Sequence, residues 1–154
     1  MAVPQVAKAL VAYLESLSFG VSLFDRYQAG YSTALSHGQK RGLALFTGRA
    51  QCSTCHVVQE KFSPLTDHRF HRVNHAAEWD RDTLVQLTDR IRSTPRQQLG
   101  VLITMDQAIA ALGRYVLTQN PADLGRFKTP SLRNVAITGP YFHDGSTDRL
   151  AEAV

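Results

Sequence analysis

Only two cysteines, Cys52 and Cys55, occur in the 154 residues, so the chain lacks the second cysteine pair that a four-cysteine zinc site needs. No apolar run is long enough to span a bilayer, and the N-terminus shows no charged start followed by an apolar stretch and a cleavage site. Repeats are also missing, which favours one domain around one core. Lysine and arginine are scattered rather than gathered with aromatics, so a net charge of +4 argues for a mildly cationic surface and against nucleic-acid binding.

Both cysteines fall within one short motif, Cys52-Ser53-Thr54-Cys55-His56. The C-x-x-C-H spacing is typical of covalent c-type haem attachment, in which two thiols bond the vinyl groups and the adjacent histidine binds the iron as proximal ligand. We therefore predict one covalent haem c, anchored by Cys52 and Cys55 and ligated by His56. The alternatives are a thiol redox motif, which expects a βαβ surround, and a zinc site that borrows His68, His71 or His75 at unusual spacings.

The periodicity of apolar residues predicts helices and no convincing strand, which indicates an all-α protein. A first helix begins at Val3-Pro4 and ends at Leu17, and a polar, glycine-containing stretch covers residues 18–36. Ser36 is the expected cap of a second helix from His37 to about Gly48, which leads to the cysteine motif.

Further along the chain, an irregular stretch from Val57 to Ala77 precedes an amphipathic helix from Asp80 to Arg92. Thr104 is the expected cap of one more helix, whose apolar stripe is Met105, Ile109, Leu112 and Val116. Residues 122–146 are expected to form an ordered loop, and a short helix begins at Leu150.

Five stretches resemble the bacterial di-haem cytochrome c peroxidase and MauG family. Residues 127–135 (FKTPSLRNV) and 138–146 (TGPYFHDGS) are similar to its signature. Residues 22–27 (SLFDRY) and 40–46 (KRGLALF) resemble the interdomain linker and the helix before the second haem, and residues 65–71 (LTDHRFH) resemble a stretch of the MauG-type branch. The resemblance covers almost the whole chain in the family's order.

By this resemblance the chain is the C-terminal, electron-transfer haem domain of such a protein. It implies a cytochrome c-like helical domain at residues 31–154, truncated at its C-terminus, entered by a linker helix and connection at residues 1–30. The expected partners are a small redox donor protein and a peroxidatic haem domain that this chain does not contain. The implied location is the periplasm, with the export signal outside this chain. The segment from Ala76 to Leu117 is longer than the family's usual connection.

The resemblance also suggests roles for residues around the haem. It places Pro130, Arg133 and His143 near the cofactor, with Arg133 suited to pair with a haem propionate and His143 acting as a structural donor. A backbone carbonyl or an acidic surface residue is the alternative partner of Arg133. Thr138 and Pro140 match positions whose carbonyls help to bind calcium, a hard ion that prefers oxygen ligands.

The family's distal ligand falls beyond Val154 in the alignment of motifs. Candidates within the chain are His71, His75 and Met105. The alternative for the two histidines is a hydrogen-bonding or surface role, and for Met105 it is core packing within a helical stripe.

Two other functions remain open beside electron transfer, and with them the question of whether this chain is itself an enzyme. One is a peroxidase-like enzyme that acts at its own haem, because an iron without a sixth protein ligand can bind peroxide. The other is a module that docks to a separate haem subunit.

Overall fold

The computed structural model describes residues 3–17, 20–72 and 79–154. Two compact units make up the chain. The first comprises Met1–Gln51 and Gln59–Ser63, and the second comprises Cys52–Val58 and Pro64–Val154.

Three helices form the first unit: α1 (Val3–Ser16), α2 (Leu23–Gln28) and α3 (His37–Thr47). The predicted helix at residues 3–17 is confirmed by α1, and the predicted cap is confirmed at α3, where Ser36 Oγ accepts from Gln39 N. Helix α2 lies inside the polar, glycine-containing stretch at residues 18–36, where no helix was predicted. Its start is fixed by a capping box, in which Ser22 Oγ accepts from Asp25 N at 3.1 Å and Asp25 accepts from Ser22 N at 2.7 Å.

The second unit contains α4 (Arg81–Ser93), α5 (Leu99–Met105), α6 (Gln107–Ala110) and α7 (Tyr115–Thr118). Helix α4 confirms the prediction at residues 80–92, with Asp80 as its cap. The single helix expected after Thr104 is wrong. Thr104 lies within α5, and the cap is Asp106, which accepts from Ala108 N at 3.0 Å and Ile109 N at 3.2 Å and so starts a new helix at α6.

A buried apolar cluster lies between these helices, and we call it the helical core. Helices α4 to α7 all contribute to it, and its members are Ile91, Leu99, Ile109, Leu112, Tyr115 and Val116. Each such side chain contributes roughly 1.5–3 kcal/mol when it leaves water. Ile109, Leu112 and Val116 belong to the predicted stripe and are fully buried, whereas Met105 is 80% exposed. Core packing of Met105 is therefore wrong, because α5 ends at this residue.

Two short strands, β1 (Phe70–Arg72) and β2 (Arg126–Lys128), pair antiparallel with Phe70 opposite Lys128 and Arg72 opposite Arg126. The expectation of a chain without strands is wrong on this point, and the fold is mainly helical with one two-stranded ribbon. A three-residue strand is too short to show the alternation of polar and apolar residues by which strands are recognised.

The predicted ordered loop at residues 122–146 is confirmed in part. Strand β2 lies within it, and short 3₁₀ turns occur at Pro121–Asp123, at its start, and at Val135–Ile137. Tyr141 N donates to Thr147 O at 2.8 Å, and the chain then enters α8 (Leu150–Ala153). In the part of the chain that the structure describes, no helix has the length and apolar character needed to cross a membrane.

Candidate functional site

The C-x-x-C-H motif forms a tight turn. Residues Cys52–Thr54 make one turn of 3₁₀ helix, and His56 N donates to Cys52 O at 2.9 Å. Both cysteines are half-buried thiols. The turn therefore presents two sulfurs and one imidazole from five consecutive residues, which is the donor set that covalent haem attachment requires.

The His56 ring is oriented by a backbone carbonyl nine residues away. His56 Nδ1 lies 2.9 Å from Leu65 O. Because a carbonyl oxygen accepts, Nδ1 carries the proton, and the lone pair that can bind a metal is then on Nε2. Metal-binding histidines commonly donate their second nitrogen to such an acceptor, which fixes the tautomer and the plane of the ring.

Leu65 itself is held in an uncommon conformation. Its φ is +56°, in the left-handed region that side chains other than glycine adopt rarely. Such a backbone costs of order 1–3 kcal/mol and persists where the surrounding structure fixes it. We attribute it here to the hydrogen bonds on either side of Leu65.

Those hydrogen bonds join residues 64–69 to residues 129–131. On one side of Leu65, Ser131 Oγ donates to Pro64 O at 2.6 Å. On the other side, the buried Thr66 donates through Oγ1 to Thr129 O at 2.7 Å. Thr129 N also donates to Arg69 O at 2.9 Å, in line with the β1–β2 ladder. The carbonyl that orients His56 is thus a rigid acceptor.

An aspartate–histidine pair follows directly in sequence. Asp67 Oδ2 lies 2.7 Å from His71 Nε2, and Asp67 Oδ1 accepts from Arg69 N at 2.9 Å. Burial raises the pKa of the Asp67 carboxyl, but the hydrogen bonds from Arg69 and His71 outweigh it and hold that pKa well below its usual value. A hydrogen bond from Thr129 acts in the same direction on the pKa of Asp67.

The candidates for the distal ligand lie in different settings. His71 directs Nε2 to Asp67, Met105 is exposed at the end of α5, and His75 lies outside the described residues. Distal ligation by any of the three stays a prediction.

Arg133 is 9% exposed, and its backbone N donates to Ser131 Oγ at 3.1 Å. The His143 ring stacks on Phe127 of β2, with centroids 4.1 Å apart and planes 20° from parallel. Pro130, Thr138 and Pro140 are exposed. The structure thus links Arg133 to the same Ser131 that anchors Pro64, while the haem and calcium roles of these residues stay predictions.

Sequence reasoning missed the residues that brace the motif, namely Leu65, Thr66 and Ser131. Thr66 and Ser131 lie inside the family-like stretches at residues 65–71 and 127–135. Their hydroxyl groups could therefore have been recognised as candidate hydrogen-bond donors. Leu65 acts through its carbonyl, which every residue has, so its identity carried no signal.

The chemistry of the site fits a porphyrin. Across the described ranges, no group of three or more histidine, cysteine, aspartate or glutamate side chains gathers as a metal ion would need. The residues that are buried around the ribbon and the motif are polar, namely Thr66, Thr129 and Arg133. A large apolar ring that is bonded by two thiols and one imidazole matches this donor set better than a bare ion does.

No protein-family model matches the sequence. The chain is 42% identical over 137 residues to cytochrome-c peroxidase IdrP1 of Denitromonas iodatirespirans, which covers 85% of this chain and 34% of that protein. It is 34% identical over 149 residues to methylamine utilization protein MauG of Methylorubrum extorquens, covering 97% of this chain and 33% of that protein.

A solved structure of a MauG-like protein associated with microbial copper homeostasis aligns with a TM-score of 0.54 and 27% identity, over 88% of this chain and 36% of that one. The chain spans about one third of the length of the curated relatives it matches. The resemblance read from the sequence is confirmed by these relatives. The chain belongs to the cytochrome-c peroxidase and MauG family.

Proposed function

We propose that this chain is a c-type haem domain that transfers single electrons within a larger di-haem peroxidase or MauG-like protein. The observation that carries the proposal is the hydrogen bond between His56 Nδ1 and Leu65 O, at 2.9 Å, on a C-x-x-C-H turn. It prepares Nε2 as the metal-binding nitrogen before any metal is present.

Each residue of the turn has one task in this proposal. Cys52 and Cys55 form the thioethers, and His56 is the proximal ligand. Haem bound in this way supplies an iron that gains and loses one electron. The braces at Thr66 and Ser131 keep the Leu65 carbonyl in place, so the imidazole keeps one orientation through the redox cycle.

The proposed partners are inferred from the fraction of its relatives' length that this chain covers. Because the chain matches about a third of each relative, we propose that a peroxidatic haem domain lies in the remaining part and that a small redox protein donates electrons. The proposed location is the periplasm. Arg133 is the proposed propionate partner, assisted by Pro130 and His143, and the carbonyls of Thr138 and Pro140 are proposed calcium ligands.

Expression in a periplasm that contains haem-attachment machinery tests the proposal. We expect red protein whose haem resists extraction by acidified acetone and whose pyridine haemochrome spectrum shows two saturated vinyl groups. Replacing both Cys52 and Cys55 with alanine should make the haem extractable. His56→Gly should retain covalent haem but shift the Soret and visible bands of the ferrous protein, and added imidazole should restore them.

His37→Gln is the matched control, because His37 is an exposed histidine at the start of α3. It should leave both spectra unchanged. Colourless protein from the periplasm, or an equal change in the His37 and His56 variants, would contradict the proposal.

A second function, peroxidase-like activity at the chain's own haem, is favoured by the positions of two candidate distal ligands, His71 and Met105. His71 Nε2 contacts Asp67, and the thioether of Met105 is on the surface, so both would have to change position to bind iron. An iron with an open sixth position would react with peroxide. Peroxide turnover by the haem-loaded chain, compared with free haem at equal concentration, tests this alternative. Turnover no faster than that of free haem would exclude it and favour electron transfer.

A further inference from the structure

A cleft of about 610 Å³ beside the β1–β2 ribbon has a strongly basic lining. Among the residues that the structure describes, its lining consists of four arginines, two histidines, one phenylalanine and one carboxylate, namely Arg69, Arg72, Arg114, Arg126, His68, His71, Phe70 and Asp123. Pockets for small ligands commonly have volumes of about 300–1,000 Å³. The cleft therefore has the size of a small-molecule site and the charge of an anion site.

The ribbon itself places two of these arginines against each other. Arg72 of β1 is directly opposite Arg126 of β2 in the antiparallel register. Side chains of an opposed pair lie on the same face, and like charges at such positions destabilise the ribbon. A negatively charged group between the two guanidinium groups would turn this repulsion into attraction.

Arg114 is brought to the cleft by a close backbone contact. Gly113 has φ +61°, and a Cβ at this position would lie 2.5 Å from Arg126 O. Only glycine therefore lets these two segments of the backbone approach so closely. The contact includes a hydrogen bond from Arg114 N to Arg126 O at 2.9 Å. The turn before α7 is thereby fastened to β2.

The Arg114 side chain is then held in place on two sides. Its guanidinium carbon lies 4.3 Å from the centre of the Phe70 ring, and its Nε lies 3.2 Å from Asp123 Oδ2. A guanidinium that is already oriented loses little conformational entropy when it binds a ligand. The two Nη groups of Arg114 are the donors that would form a bidentate pair with a bound anion.

We infer that this cleft binds a small, multiply charged oxoanion of the phosphate or polycarboxylate class. Guanidinium forks pair bidentately with both chemistries, and a ligand with two or more negative charges matches the four arginines against one aspartate. The concave shape and the volume of about 610 Å³ favour such a ligand over the flat acidic surface of a protein.

The residues that line the cleft do not include Cys52, Cys55 or His56, although His71, a candidate distal ligand, is among them. In β2, Phe127 alternates with Arg126 and Lys128 and so faces the other side of the ribbon, where it stacks on His143. The proposed anion therefore binds on the opposite face from the His143 ring.

Isothermal titration calorimetry of the haem-loaded chain tests the inference, with pyrophosphate in one arm and citrate in the other at constant ionic strength. We expect saturable binding at one site, and the arm that binds identifies the class of ligand. Arg126→Gln should weaken binding about tenfold or more, because it removes a charge-assisted donor pair.

Lys128→Gln is the matched control. Lys128 is a basic residue of the same strand, placed opposite Phe70 and outside the residues that line the cleft. It should change the affinity less than about twofold, as expected for a residue that acts only through the screened field of the surface.

Thermal unfolding supplies a second readout. Without added anion, Arg126→Gln should unfold at a higher temperature than the parent chain, since the Arg72–Arg126 repulsion is removed. Pyrophosphate or citrate should stabilise the parent chain more than the variant. If Arg126→Gln does not fold, Arg72→Gln serves in its place.

Absence of saturable binding in both arms would overturn the inference, as would equal weakening by Arg126→Gln and Lys128→Gln. Salt-dependent binding of an acidic redox protein that neither anion displaces would also overturn it.

Discussion

Two regions of the second unit are held together by different forces. The helical core of α4–α7 is packed with fully buried apolar side chains such as Leu112. The region around the haem motif, residues 52–58, 64–72 and 126–133, has polar buried residues instead and is joined by hydrogen bonds such as Thr66 to Thr129. The helical core supplies stability. The haem-motif region supplies fixed positions for a ring that brings its own apolar surface, which is why its own side chains need not form an apolar core.

The largest effect is expected in the helical core. Leu112→Ala should lower the free energy of unfolding by about 2–5 kcal/mol, because it removes apolar contacts and leaves a cavity. Leu117→Ala is the matched control, since Leu117 is 58% exposed and Leu112 is fully buried, and it should change stability by less than about 0.5 kcal/mol. Urea unfolding followed by circular dichroism measures both. Equal losses would show that the core does not lie where the structure places it.

A smaller loss is expected when a buried hydrogen bond of the haem-motif region is removed. Thr66→Val should destabilise by about 1–3 kcal/mol, since Thr129 O loses its donor at 2.7 Å and His68 N loses its acceptor at 3.0 Å. The shape of the side chain is kept, so packing changes little. The variant should also broaden the ligand-field spectrum of the haem, because the Leu65 carbonyl moves more freely.

Thr104→Val serves as the control for Thr66→Val. Thr104 is exposed in α5, where its Oγ1 donates to Val101 O at 2.8 Å. Its loss should leave stability within about 0.5 kcal/mol and the haem spectrum unchanged. A Thr66 variant that behaves like the Thr104 variant would mean that the haem-motif region does not depend on its hydrogen bonds.

Asp106 tests the helical core through a helix cap. Asp106→Ala should cost about 0.5–2 kcal/mol, because α6 loses the acceptor for Ala108 N and Ile109 N, and Arg90 loses an ion-pair partner. The hydrogen bond from Ile109 N lowers the pKa of the Asp106 carboxyl, so this contribution persists at neutral pH and is lost as the pH falls below about 4. Guanidinium unfolding at pH 7 and pH 3 measures it. A deficit as large at pH 3 as at pH 7 would contradict the assignment.

The smallest effect concerns acid stability of the haem-motif region. The pKa of Asp67 is lowered in the folded chain, so the unfolded chain binds the proton more readily. The stabilisation from Asp67 is therefore complete above about pH 4 and is lost as the pH falls toward the folded value. Asp67→Asn should be less stable than the parent chain at pH 7, and the difference should shrink by pH 3.

Asp89→Asn is the control for Asp67→Asn. The Asp89 carboxylate is 65% exposed, 3.6 Å from Arg92 on the surface of α4. Thermal unfolding between pH 3 and pH 7 should show little difference from the parent chain at any point. A Asp67 variant with the same flat profile would show that the hydrogen bonds to Asp67 do not stabilise the fold.

Local signals in the sequence predicted the parts of the fold that depend on neighbouring residues. Helices α1, α3 and α4 were placed within one or two residues, because their periodicity and the cap Ser36 are properties of short windows. The break at Asp106 was missed. An aspartate in a continuous apolar stripe is compatible with both a continuing helix and a new cap, and packing of α5 against α6 decided between them.

The haem-motif region was predictable in its chemistry and not in its geometry. The spacing of Cys52, Cys55 and His56 was sufficient by itself to predict a covalent haem, because the donor atoms are in the side chains. Only the tertiary structure decided that Leu65 O orients His56, that Arg72 lies opposite Arg126 and that Met105 is exposed. Backbone carbonyls are the same in every residue, and strand register and burial depend on segments distant in sequence, so no local pattern could reveal them.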